Sequence, residues 1–170
     1  SCSALLSSFL LSIFAIYEVI FCGSVNTITL FSWFDYELFV SAWGFHFDAI
    51  SVIMLFVVTC VSSLVHIYST DYMGSDPHLG RFMGYLSLFT FFMLLLVTAD
   101  NFLIMFLGWE GIGLASFLLI GFWMTRTQAG KSAIKAMLVN RVGDVGLALG
   151  LCSIFLTFKT LDYQIAFSLV

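Results

Sequence analysis

The run Phe102 to Met124 reads FLIMFLGWEGIGLASFLLIGFWM, and Glu110 is its only charged residue. An apolar run of this length spans a bilayer as a helix. Glu110 lies eight residues past Phe102, which at 1.5 Å per residue puts it roughly 12 Å down the axis, well inside the hydrocarbon. A carboxylate at that depth is costly unless it is buried against protein, paired, hydrated by internal water or protonated. Two readings are open: a functional acid, or a structural one held by a neighbouring helix. Gly108, Gly111 and Ala115 follow at i, i+3 and i+7 and form a ridge of small side chains for close helix packing. At 100° per residue this ridge is centred roughly 130° away from Glu110. The acid shares its own line with Gly113, Leu114 and Phe117, and Gly113 leaves room there for water.

The composition agrees with a membrane protein. Of 170 residues, 61% are hydrophobic and 9% charged, against about 25% charged in soluble domains. The mean hydropathy is +1.08. The net charge is −4, and no basic tract suggests nucleic acid. Cys2, Cys22, Cys60 and Cys152 lack metal or redox spacing and read as unpaired structural residues. No dinucleotide fingerprint, phosphate loop or iron–sulfur cysteine cluster is present. The chain is therefore expected to bind no cofactor and no metal, and any redox centre of its assembly is expected in other chains. It starts at Ser1 without a basic segment before the first apolar run, so the start reads as processed or truncated.

Five apolar spans are expected, at about 4–22, 48–69, 82–98, 102–124 and 132–158. Together they predict an all-α integral membrane protein built as a single membrane domain, 1–170. Residues 24–47 differ. Asn26–Phe34 and Leu38–Phe45 are rich in Thr, Phe and Trp and flank the acidic turn Asp35-Tyr36-Glu37, which predicts a short surface β-hairpin between the first two spans. Trp33 and Trp43 are expected near the membrane interface. Pro77, the only proline, marks the turn between the second and third spans. His66 lies just before that turn and reads either as a hydrogen-bonding residue near the inner face or as a proton carrier. Arg81, Arg126 and Lys131 fall on one side of the membrane. Asp35, Glu37, Asp48, Asp100 and Lys159 fall on the other. The excess of positive residues predicts Ser1 on the inner side.

The last span carries Lys131, Lys135, Asn140, Arg141 and Asp144 within fourteen residues. Lys131 can snorkel to the surface, and Lys135 can do so in part. Arg141 and Asp144 are too deep for that. At i, i+3 they meet on one face and are expected to pair, either as a structural clasp or as part of a site. Gly143, Gly146 and Gly150 lie on the opposite face, which is expected to be closely packed.

Several stretches resemble a known family. Phe47-Asp48, Val61–Met73 (VSSLVHIYSTDYM), Asp76-Pro77 and Arg81-Phe82, followed by Leu96–Trp123 (LVTADNFLIMFLGWEGIGLASFLLIGFW) and Lys135–Gly150 (KAMLVNRVGDVGLALG), are similar to the antiporter-like membrane subunits of respiratory complex I. The resemblance covers nearly the whole chain. It implies part of a proton-translocating subunit that couples NADH:ubiquinone electron transfer to proton export, with other membrane-arm subunits and the lipid bilayer as partners. In that family the glutamate matched by Glu110 belongs to a proton channel and pairs with a lysine on a later helix. Asn140 to Asp144 match a motif beside the channel, and His66 matches the family's histidine. The 20 phenylalanines suit a mitochondrially encoded product, so the resemblance implies the mitochondrial inner membrane, with the N-terminus on the matrix side. A subunit of a multisubunit sodium/proton antiporter shares these motifs, and a purely structural membrane fragment is the third reading.

The family's chains begin with one more helix and continue well beyond the position of Val170, where the partner lysine lies. The expectation is therefore a truncated form or a split-gene product, with a second polypeptide carrying the rest of the subunit. Within the chain, Lys135 is left as the cation for Glu110, because Arg141 is expected to serve Asp144.

Overall fold

A computed structural model describes residues 1–36, 39–123 and 125–168. The element order is α1 (Cys2–Ile16, continued by a π-helical turn Tyr17–Phe21), β1 (Asn26–Tyr36), β2 (Phe39–Phe47), α2 (Ala49–Tyr72), α3 (Leu79–Val97), α4 (Phe102–Ile120), α5 (Thr127–Phe158) and α6 (Tyr163–Ser168). Among the described residues five helices are long and apolar enough to cross a membrane: Cys2–Phe21, α2, α3, α4 and α5. The chain is a multi-pass membrane protein of the expected architecture. Each helix packs chiefly on its neighbours in the chain, so the five form an up-and-down row.

Helix boundaries follow local chemistry. Asp48 caps α2 by accepting from the Ser51 N–H at 2.7 Å, and Asn101 caps α4 by accepting from the Ile104 N–H at 2.9 Å. Helix α4 ends at Ile120, short of the expected 124, because Gly121 closes it with a backbone bond to the Phe117 carbonyl; Met124 lies outside the described residues. Helix α5 starts at Thr127, earlier than the expected 132, and ends where Lys159 enters the left-handed region at φ 58°.

The helices are joined by hydroxyls and by close approach. Ser12 and Thr59 hydrogen-bond between α1 and α2 (3.1 Å), and Ser62 and Thr90 between α2 and α3 (2.6 Å). In an apolar solvent such bonds contribute about 0.6 kcal/mol each, up to about 1.7. The small-residue ridge of α4 lies against α3 as expected. Gly108, Gly111 and Ala115 are buried, a Cβ at Gly108 would stand 2.8 Å from Leu96 Cβ and 2.9 Å from its backbone, and one at Gly111 would overlap the Phe92 ring.

At the hairpin end the connections are knotted together. The strands pair antiparallel, with register shifts after Thr29 and Ser32. Asp35 and Tyr36, expected in the turn, lie in β1 opposite Val40 and Phe39; Glu37 and Leu38 lie outside the described residues. Trp33 and Trp43 meet with centroids 5.0 Å apart and pack on the buried Leu95, Ala99 and Ile104, so protein contact sets their position. Asn101, 1% exposed, also donates to the Ala42 carbonyl (2.8 Å), and its backbone bridges to Asp162. Phe102 N–H donates to the Leu161 carbonyl at 3.1 Å.

Two findings concern the C-terminal helices. The Gly143/Gly146/Gly150 face, expected to be closely packed, has no described atom within 4 Å of an added Cβ at any of the three positions. The five helices leave this face bare among the described residues; its close packing was expected only against a further neighbour. The short helix α6, which carries no span-length apolar signal, was not expected.

Two stability predictions follow from this packing. Gly108→Ala pushes a methyl into the Leu96 backbone and should destabilise the α3–α4 pair by about 1–3 kcal/mol. Gly84→Ala, where nothing lies within 4 Å, should be neutral or stabilising by up to about 1 kcal/mol. Thermal unfolding in detergent micelles, followed by circular dichroism, compares the two. At the hairpin end, burial and then the charge of Asp100 raise the Asp162 carboxyl above its ordinary value, and the same two causes push Tyr163 up to about 12. Asp162 thus holds a proton more readily folded than unfolded. That contribution is complete below the unfolded value and is lost as pH rises through the folded one. Asp162→Asn should raise the thermal midpoint at about pH 7, and the gain should vanish by about pH 3, where both states of the parent are protonated.

Candidate functional site

Helices α4 and α5 run antiparallel, and their polar side chains meet as rungs. On the first rung Arg141 Nη1 donates to both carboxylate oxygens of Glu110, at 3.0 and 3.1 Å. On the next, toward the hairpin end, Trp109 Nε1 donates to Asp144 Oδ1 at 2.8 Å. Arg141 Nη1 also lies 3.9 Å from Asp144 Oδ2, the expected i, i+3 contact. The guanidinium therefore stands between two carboxylates and is nearer the one on the other helix.

This corrects the sequence-based pairing. Arg141 does meet Asp144, but its closer partner is Glu110. The physical reason is register: close packing of α3 on one side of α4 leaves Glu110 facing α5 at the level of Arg141, while Asp144 is satisfied by the indole. Lys135, expected to be the free cation, is exposed and lies six residues before Arg141 on α5, roughly 9 Å toward the opposite end of the helix. Nothing places it beside Glu110.

Glu110 and Arg141 line a cavity of about 290 Å³ with Gly113, Leu114, Phe117, Asn140 and Asp144. An added Cβ at Gly113 would come 3.8 Å from Asn140 Nδ2, and the expected space one turn from Glu110 is present. A second cavity of about 320 Å³ shares Gly113, Asn140 and Asp144 and is also lined by Trp109, Ile112, Met93 and Leu96. Glu110 borders the first cavity, and Asp144 borders both. Both volumes exceed the share of a single water, about 30 Å³, and their polar linings offer it partners.

His66 belongs elsewhere. It is 1% exposed between α2 and α3, with Nδ1 2.8 Å from the Ser62 carbonyl and Nε2 3.4 Å from Ser87 Oγ. It borders a third, mostly apolar cavity lined by Val58, Val61, Phe89 and Met93. Of the five candidate residues, the fold gathers Glu110, Arg141 and Asp144, and leaves Lys135 and His66 apart. Among the described residues no three His, Cys, Asp or Glu side chains gather as metal ligands would, and all four cysteines are free.

Trp109 was missed as a site residue. An indole in a membrane helix is usually an interfacial anchor. This one is seven residues past the start of α4, deep enough that its N–H requires a partner within the protein. That depth was the available signal.

Residues 99–169 match the family described as NADH:quinone oxidoreductase/Mrp antiporter, TM, and residues 33–83 match NADH-Ubiquinone oxidoreductase (complex I), chain 5 N-terminus. Two solved structures share the fold. A chain of the membrane-bound sulfane sulfur reductase, an archaeal respiratory membrane complex, superposes with TM-score 0.79 at 13% identity, over 95% of this chain and 32% of that one. A chain of the Mrp complex from Dietzia sp. DQ12-45-1b superposes with TM-score 0.71 at 24% identity, over 89% and 16%. With the match of residues 99–169 to the NADH:quinone oxidoreductase/Mrp antiporter family, the chain falls in the antiporter-like class of membrane proteins. Among curated proteins, NADH-ubiquinone oxidoreductase chain 5 of Mycosarcoma maydis is 59% identical over 99% of this chain and 25% of its own length. The chain 5 proteins of Rhizopus stolonifer (57%, 99% and 26%) and Marchantia polymorpha (60%, 99% and 25%) are equally similar. The chain belongs to the chain 5 family of NADH-ubiquinone oxidoreductase, and it spans about a quarter of the length of these curated relatives.

The rung geometry makes a testable statement about pairing. Arg141→Leu removes the cation from two carboxylates, and Glu110→Gln in the same chain should recover part of the lost stability. The coupling between positions 110 and 141 should be about 0.5–3 kcal/mol. It should exceed the coupling between 141 and 144, as measured by a double-mutant cycle on thermal stability in detergent.

Proposed function

We propose that this chain forms part of a proton-translocating, antiporter-like subunit of respiratory complex I, in which Glu110 takes up and releases the proton. The observation that carries the reading is the Glu110–Arg141 pair, set mid-helix beside a cavity with Asp144 as a second anion in reach. A carboxylate beside a cation favours its ionised form, and withdrawal of the cation favours proton uptake. Arg141 has two acceptors on one side chain. Movement from Glu110 toward Asp144 would let Glu110 accept a proton, and its return would expel the proton into the cavity.

In this reading the chain binds no NADH, and electron transfer between NADH and ubiquinone occurs in other subunits. Its partners are the other membrane-arm subunits, the remainder of the same subunit, on the same chain or on a second polypeptide, and the bilayer. Identity of 57–60% to chain 5 proteins, against 24% to a chain of the Mrp complex, supports complex I over a sodium/proton antiporter. The chain 5 relatives and the phenylalanine-rich composition support the mitochondrial inner membrane. Arg81, Arg126 and Lys131, at the end opposite the hairpin, support an N-terminus on the matrix side.

The test is Glu110→Gln in the intact complex. Protons moved per electron should fall severalfold, while the amount of assembled complex falls much less. An unchanged ratio would remove Glu110 from the mechanism. Transport driven by a sodium gradient without NADH would favour the antiporter reading.

A further inference from the structure

The asymmetry at Arg141 needs a cause. Its Nη1 lies 3.0 Å from Glu110 but 3.9 Å from Asp144, although Asp144 is on its own helix one turn away. Asp144 is also the more enclosed carboxylate, with its side chain 10% exposed against 29% for Glu110. A desolvated carboxylate is ordinarily the one that holds a cation most tightly. What distinguishes it is the indole: Trp109 Nε1 already donates to Asp144 Oδ1 at 2.8 Å.

We propose that Trp109 is a positioning residue that satisfies Asp144 and thereby leaves Arg141 to Glu110. A hydrogen bond to an ionised carboxylate is among the stronger ones in proteins. Part of the negative charge of Asp144 is met by the N–H, and Oδ1 is held away from the guanidinium. The position of Trp109 supports the assignment. It precedes Glu110 on α4 and so points about 100° around the helix, to the rung where Asp144 stands. Its ring lines the second cavity, and Asp144 lines both that cavity and the one that Glu110 borders. The charged groups around Glu110 are Arg141 and Asp144 from α5. Helix α3 presents Phe92 there, and the rest of α4 adds no titratable side chain. The balance at Arg141 is thus struck among two acids and one indole. Loss of the N–H should shift the preference of Arg141 toward Asp144 by about tenfold or more.

This inference rests on the proposed proton-translocating role, and the two can fail separately. Trp109→Phe keeps an aromatic ring and removes only the donor. In the intact complex carrying this variant, a high-resolution structure should show Arg141 Nη1 closer to Asp144 than to Glu110, and protons moved per electron should fall by about half or more. Arg141 still nearer Glu110, or a smaller fall, overturns the proposal. Should the variant fail to assemble, an unsatisfied Asp144 must be the reason, and adding Asp144→Leu must restore assembly; failure to restore it also overturns the proposal. Glu110→Gln is measured in parallel. If it pumps like the parent, the underlying proton-translocating reading fails. If it loses pumping while Trp109→Phe does not, only the role of Trp109 fails.

Discussion

A single guanidinium among two carboxylates is the constraint on which this bundle turns. Ion pairs within an apolar helix row are costly to desolvate, and a row of five helices offers few places to satisfy them. Arg141 is held by Glu110 across the α4–α5 contact at 3.0 Å and by Asp144 along its own helix at 3.9 Å. The cation thus has one near acceptor on the neighbouring helix and a second, more distant one on its own.

That geometry depends on packing that contains no charge. Gly108 and Gly111 bring α4 against Leu96 and Phe92 of α3. Contact on that side fixes the rotation of α4 and aims Glu110 toward α5. The hairpin end fixes the axial position. Asn101 caps α4 and holds the Ala42 carbonyl of β2 with its side chain, and its backbone bridges to Asp162 beyond α5, so the starts and ends of several elements are tied to one buried residue. Small residues set the rotation, one asparagine sets the height, and together they set which charges meet.

The row is open at α5. Its glycine face meets no described atom, while the polar face carries the site. A helix with small residues on one side and an Arg–Asp pair on the other suits contact on both sides. Among the described residues its contacts are chiefly with α4.

Much was legible in the sequence, for a local reason. Spans, the hairpin, the ridge of Gly108, Gly111 and Ala115 and the presence of a deep acid all follow from periodicity and transfer free energies that act within one element. Glu110, Arg141 and Asp144 stood out because charge is expensive in hydrocarbon wherever it lies. Their pairing followed only in part: the expected Arg141–Asp144 contact is present at 3.9 Å, but the closer contact of Arg141 with Glu110 was not legible. From spacing alone Arg141 belonged to Asp144 and Lys135 to Glu110, since i, i+3 contacts are visible along a chain and contacts between helices are not. The α4–α5 register, decided by glycine packing against α3 and by the cap at Asn101, gave Arg141 to Glu110 and Trp109 to Asp144. Which residues are polar and deep was written in the sequence. Which of them touch was decided by the tertiary structure, because register between helices comes from the sum of many apolar contacts that no single stretch contains.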